Sequence, residues 1–212
     1  MKRPHTIRGI NFDAKVQREK SYAEHLDSPK DDEESEIFYH GTTKPNALHI
    51  IENGIILTKG GKKMDFSNGD GFYVDHDLDR ALEWSIDQAQ NIKDTPMLLA
   101  VLVYRVKRAE LRHYQGLNLT TNSDFKFPEV VTHFRNGEAN KQLKDALFGY
   151  HFIEGPWSAG PWRQNAKSRS TARASPLKDT YQLCLKSDES IGLFNTHLKA
   201  VVYFEFERRS NR

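Results

Sequence analysis

Two short stretches of the chain set chemically useful side chains beside glycine. In Ile37–Thr42, "IFYHGT", a lone histidine stands between an aromatic residue and a glycine; in Asp65–Val74, "DFSNGDGFYV", a tyrosine follows a glycine-rich loop. His40 offers one hydrogen-bond donor and one acceptor at neutral pH, and Gly41 has no Cβ to keep a planar group away from the backbone. Tyr73 offers an aromatic face suited to a flat or cationic ring. Neither stretch is specific alone, since a histidine near a strand end is more often structural than catalytic.

Other patterns suggest chemistry but read better as structure. Asp75, His76, Asp77 and Asp79 cluster in "DHDLD". A calcium loop needs a different spacing and glycine placement, whereas acidic residues at a helix start are favoured by the helix dipole. The nine histidines show no HExxH or paired ligand spacing, so no metal is expected. "TKGGKKMDFSNGDG" lacks the Gly-Lys-Ser/Thr ending of a phosphate-binding loop and reads as a flexible connection. Cys184 is the only cysteine; it excludes an internal disulfide and reads as a small buried residue in the strand "YQLCL".

The elements that must hold these residues follow from pattern. "EIFYH" is a short apolar and aromatic strand closed by Gly41, and "KPNALHIIENGI" is a helix with Ala47, Ile50 and Ile51 on one stripe, Pro45 in its first turn and Gly54 at its stop. "GFYV" is a brief strand in which Phe72 faces the core, opposite to Tyr73. A helix begun by "DHDLD" carries Leu78, Ala81, Leu82 and Ser85 on one side. Met97–Val106, "MLLAVLVYRV", is nearly all apolar and predicts a central strand buried on both faces. Helices follow around "FPEVVTHFRNG" and "EANKQLKDALFG", then strands "HFIEGPW" and "TYQLCL", a helix near "DESIGLFNTHL" and a last strand "KAVVYFEFE". Strands scattered among helices, without regular βαβ alternation, predict an α+β fold rather than a doubly wound one.

Composition sets the frame. At 212 residues and 37% hydrophobic content, one globular domain is expected, spanning 36–208, with a polar, mobile N-terminal arm at 1–35 and a short tail at 209–212. Lys and Arg number 31 against 29 Asp and Glu, so the whole molecule lacks the field of a protein that works by neutralising phosphates. No apolar run matches a signal peptide or approaches the ~20 residues of a membrane span. A soluble, intracellular protein, cytoplasmic or nuclear and without a membrane partner, is the expectation.

The series "FYHGT", then a helix ending in "NGI", then "DFSNGDGFYV", then "DRALEWS" resembles the ADP-ribosyltransferase superfamily. It is most similar to the histidine-tyrosine-acid/amide branch that includes diphtheria-type toxins and poly(ADP-ribose) polymerases. Nearer still are poorly characterised microbial and fungal relatives with "YHGT" and "DFG.GFY" motifs. "FIEGP" and "YQLCLKSDESIGLF" look like the Gly-Pro strand and glutamine strand of the same relatives. The resemblance covers roughly 37–206, and its specific part is the first fifty residues of that range.

The resemblance implies an NAD cleft formed by two small packed antiparallel sheets with surrounding helices. It implies cleavage of the nicotinamide–ribose bond and transfer of ADP-ribose to a protein, to nucleic acid or to water. NAD would be the co-substrate. His40 would bond the adenosine-side ribose, Gly41 would let the backbone approach the nicotinamide amide, Thr42 would add a hydroxyl, and Tyr73 would stack on nicotinamide. Gln182 occupies the third position, where transferases usually carry glutamate. An amide orients a ribose but supplies no negative charge to an oxocarbenium-like transition state. Glu154 and Glu138 are candidates to supply it, with an exposed charge at a strand end as the plain reading of Glu154. The loop Trp157–Pro176, with Trp157, Trp162, Arg163, Lys167, Arg169, Arg173 and no acid, is the candidate contact for a nucleic-acid or acidic-protein acceptor. The alternative is a catalytically inactive module of this fold that binds an NAD-like ligand, nucleic acid or a protein partner. An RNA 2′-phosphotransferase-like activity is a third and weaker reading.

Overall fold

The structure is a computed structural model that describes residues 34–89, 97–122, 124–159 and 175–206. They are α+β and divide into two compact units. The first takes in the described residues up to Gly54, Val74–Arg108 and those from Phe194 onward; the second comprises Ile55–Tyr73 and Ala109–Leu193. Among the described residues no helix is long and apolar enough to cross a membrane.

The first unit is a three-stranded antiparallel sheet of β1 (Ser35–Thr43), β3 (Met97–Lys107) and β9 (Leu198–Phe206), in the order β1-β3-β9. The apolar run "MLLAVLVYRV" is the central strand. Leu99 to Tyr104 and Val106 are all buried, because β3 has a neighbour on each edge and packed side chains on each face. Helix α2 (Leu78–Ala89) lays Ala81, Leu82, Ile86 and Ala89 against Leu99, Val101 and Phe204. On the opposite face Phe38 and Tyr104 each sit 5.4 Å, ring to ring, from Phe194.

Helix α1 (Lys44–Asn53) starts directly after β1, with proline in its first turn. It stops at Gly54, which takes φ 75° and donates its N–H to the Ile50 carbonyl, a conformation costly for a residue with a Cβ. Its expected apolar stripe is only partly used. Ala47 is buried and Ile50 half-buried, but Ile51 is 45% exposed.

The acidic "DHDLD" is a helix start. The Asp77 carboxylate accepts the backbone N–H groups of Asp79 and Arg80 at 2.9 and 3.2 Å, and Asp75 accepts that of Asp77 at 2.8 Å. These bonds satisfy donors that the first helical turn leaves over.

The second unit is built on Phe72 and Tyr73 of β2 (Phe72–Val74) with β4 (Gly116–Asn118), β5 (Phe152–Gly155) and β8 (Gln182–Leu185), in the order β2-β8-β5-β4. Here the expectation of purely antiparallel sheets needs correction, because β4 and β5 run parallel. The chain between them forms α4 (Phe127–Arg135) and α5 (Lys141–Leu147), and a helical crossover of that length returns a strand in the same direction. Phe127, Val130, Val131 and Phe134 of α4 join Phe66, Leu117, Ile153 and Cys184 in the core. The remaining elements are α3 (Arg108–Leu111), the ribbon of β6 (Ser158–Ala159) and β7 (Ser175–Pro176), and α6 (Asp188–Thr196).

The N-terminal arm up to residue 33, the tail 209–212 and the loop residues Trp162, Arg163, Lys167, Arg169 and Arg173 lie outside the described residues.

Candidate functional site

The first unit holds His40, Gly41 and Thr42 on β1. The strand does not end at Gly41. It stays paired through Thr43, with His40 opposite Leu102, Gly41 opposite Val101 and Thr42 opposite Ala100. Side chains alternate along a strand, so Tyr39 and the Cα of Gly41 face α2 while His40 shares the face of Phe38. A Cβ at Gly41 would overlap the backbone carbonyl of Ala81 on α2. The close approach of that helix therefore accounts for the glycine without any ligand. His40 is half-buried, and Thr42 is buried at 6% exposure.

Tyr73 and Gln182 belong to the second unit, on the hydrogen-bonded neighbours β2 and β8. Phe72 is buried and Tyr73 is half-buried, as strand alternation predicts. The Tyr73 hydroxyl accepts the Phe66 N–H at 2.8 Å and lies 3.1 Å from Ser67 Oγ. Burial pushes the phenol well above its ordinary pKa, and the nearby Cys184 and Asp65 add to the shift. The ring is thus held from its hydroxyl end by the loop that precedes it. That loop comes close to β8, since a Cβ at Gly71 would strike Ser67 and Cys184. Cys184 is fully buried, and burial pushes its thiol up to about 12, as fits a packing residue rather than a nucleophile.

Gln182 is buried within a polar network. Its Nε2 donates to Asp65 Oδ2 at 2.9 Å and to the Pro156 carbonyl at 3.0 Å. Asp65 is itself held: Arg135 at the end of α4 meets Oδ1 through Nε at 2.9 Å and Nη2 at 2.6 Å, and the Ser158 N–H donates to Oδ2 at 3.1 Å. A buried carboxylate with an adjacent guanidinium and further donors is the paired arrangement that burial of charge requires.

Neither candidate for a compensating carboxylate meets Gln182. Glu154 is not an exposed strand-end charge but is buried at 5% exposure. It accepts the Tyr181 hydroxyl at 2.6 Å and the Asn118 amide at 3.0 Å. Gly155 pairs with Gln182 and Glu154 with Leu183, so Glu154 and Gln182 point to opposite faces of the sheet. Glu138 forms an ion pair with Lys144 at 2.6 Å.

Trp157, at the start of the candidate acceptor loop, is anchored. Its ring N–H donates to the Tyr181 carbonyl and its backbone N–H to Thr180 Oγ1, both at 2.9 Å.

Sequence reading missed Asp65 and Arg135, and also two other groups, one half-buried and one buried. Lys186 lies 4.3 Å from the centre of the Phe134 ring, 3.3 Å from the Phe66 carbonyl and 3.5 Å from Asp70. His133 on α4 is buried with neither ring nitrogen hydrogen-bonded among the described residues. Its pKa is lowered, chiefly by burial. One signal did exist for Asp65: an acidic residue between Met64 and Phe66, inside a motif otherwise destined for the core. Among the described residues no group of three or more His, Cys, Asp or Glu is placed to hold a metal ion.

Compared with known proteins, the chain matches no family model and no curated protein.

Proposed function

We propose that the chain is an NAD-dependent ADP-ribosyltransferase. The bond between nicotinamide and ribose breaks, nicotinamide leaves with the electron pair, and the sugar carbon bonds to an oxygen or nitrogen of a macromolecular acceptor, or to water. The acceptor's proton passes to solvent. Tyr73 stacks on nicotinamide, Gln182 accepts a hydrogen bond from a hydroxyl of the reacting ribose, and His40 is the residue that the resemblance assigns to the adenosine-side ribose.

The observation that carries the reading is the pairing of β2 with β8, which brings the strands of Tyr73 and Gln182 together from distant parts of the sequence. In support, Tyr73 is fastened by its hydroxyl to the loop before it, which fixes the position of its ring. The test is to incubate pure protein with adenylate-labelled NAD, with and without cell extract, and to follow free nicotinamide and labelled macromolecules. Nicotinamide release that Tyr73→Ala abolishes is the expected result; no release under either condition sinks the reading. Sensitivity of the label to protease, RNase or DNase then gives the class of acceptor.

A second reading, an inactive module that binds an NAD-like ligand or another partner, is favoured by one feature. Arg135 offsets the charge of Asp65, and Glu154 faces away, so no unpaired carboxylate stands beside Gln182 among the described residues to stabilise a cationic sugar. NAD binding without nicotinamide release is the outcome that selects it.

A further inference from the structure

A carboxamide has a donating end and an accepting end. The nitrogen of Gln182 meets two oxygens, Asp65 Oδ2 at 2.9 Å and the Pro156 carbonyl at 3.0 Å. Turning the amide over would set oxygen against both, so the hydrogen-bond network fixes its orientation. Asp65 has no freedom to withdraw, because Arg135 holds one of its oxygens and the Ser158 N–H shares the other. With the nitrogen engaged, Oε1 is the atom of Gln182 that accepts no bond among the described residues. A glutamate at this position would instead place a second carboxylate oxygen against Asp65, in a buried setting where two like charges are not tolerated together.

We infer that Asp65 is a positioning residue that turns the donor end of Gln182 inward. Position 182 thereby presents an uncharged acceptor to a hydroxyl-bearing ligand, and that is why an amide stands there. The identification of this hydroxyl as a ribose hydroxyl rests on the transferase reading; the coupling of Asp65 to Gln182 does not. The charged and titratable groups around the pair are Arg135 from α4, Tyr73 from β2 and Cys184 from β8, with Lys186 beyond the end of β8. Arginine stays charged throughout the ordinary pH range. The Tyr73 hydroxyl and the Cys184 thiol are held neutral through that range by burial.

The test compares the wild-type chain, Gln182→Glu, and the double exchange Asp65→Asn with Gln182→Glu, by thermal unfolding between pH 5 and 8. In Gln182→Glu the new carboxyl shares a proton with Asp65, so its pKa in the folded state is raised above the unfolded value. The contribution of such a group is present at low pH and is lost as pH rises through the raised pKa. Gln182→Glu should melt close to the wild type at pH 5 and about 5 °C lower at pH 8. In the double exchange the amide introduced at position 65 donates to the carboxylate at position 182, and the gap between pH 5 and 8 should narrow, with the Pro156 carbonyl still facing oxygen.

A Gln182→Glu midpoint that tracks the wild type at every pH, a deficit equal at pH 5 and 8, or failure to fold even at pH 5 overturns the coupling. Unfolding needs no turnover. Absence of nicotinamide release by the wild type would therefore remove the transferase reading and leave the coupling to be decided by its own measurement.

Discussion

The two units bury different things. Around β3 the first unit buries mostly hydrocarbon, and its tightest approach, Gly41 to Ala81, is one of backbone against backbone. The second unit buries charge and amide within its sheet: Asp65 with Arg135 and Gln182 along one face, and Glu154 with Tyr181 and Asn118 along the other. Apolar packing is non-directional and tolerates imperfect geometry, whereas a buried polar group is costly unless each partner is in place. The first unit is thus specified by shape and the second by complementary hydrogen bonds. The stricter kind of order surrounds Gln182, where a ligand would need a fixed acceptor.

Substitutions that remove shape from one unit and partners from the other can break this contrast. The largest effect is expected from Gly41→Val, which would force α2 off the sheet. Loss of folded, soluble protein, or destabilisation at or beyond the ~4–5 kcal/mol tail of single substitutions, should appear in denaturant unfolding. Next comes Arg135→Ala, which strands a buried carboxylate and should cost about 3–5 kcal/mol by the same measurement. Tyr181→Phe keeps the ring and removes one donor to Glu154; about 1–3 kcal/mol is expected.

A smaller and pH-dependent effect should attach to His133. Its folded-state pKa is depressed by burial, so the unfolded chain binds the proton more readily. Stability linked to this group is present above the ordinary histidine pKa and is lost as pH falls below it. His133→Phe should flatten that acid-side decline in a melting series from pH 8 to 5. Smallest of all, Ile51→Gln on the exposed side of α1 should change stability by no more than ~0.5 kcal/mol; a large loss would show that α1 is covered.

The legibility of the sequence follows the same division. The central strand, the cap of α2 and the glycine stop of α1 could be read because each leaves a local pattern: an apolar run, acids at a helix start, a glycine after a stripe. Gly41 was legible as a special residue but not for its packing role, since nothing near it in sequence names Ala81. The polar network was hidden for the same reason. Asp65, Arg135 and Gln182 come from a loop, a helix end and a strand, and their partnership exists only after the chain has closed. Glu154 misled because the phase of β5 relative to β8 is a property of register, which one strand alone does not reveal.

Cys184 offers a use unrelated to any reaction. It is the only thiol in the chain, is fully buried on β8 two residues from Gln182, and has its pKa raised to about 12. Thiol reagents attack the thiolate, so the closed structure should be chemically silent and modification should wait for β8 to separate from its neighbours. The rate of that modification is a stopwatch for the opening of this strand. It needs no ligand, label or engineered probe, and it times the segment that carries Gln182.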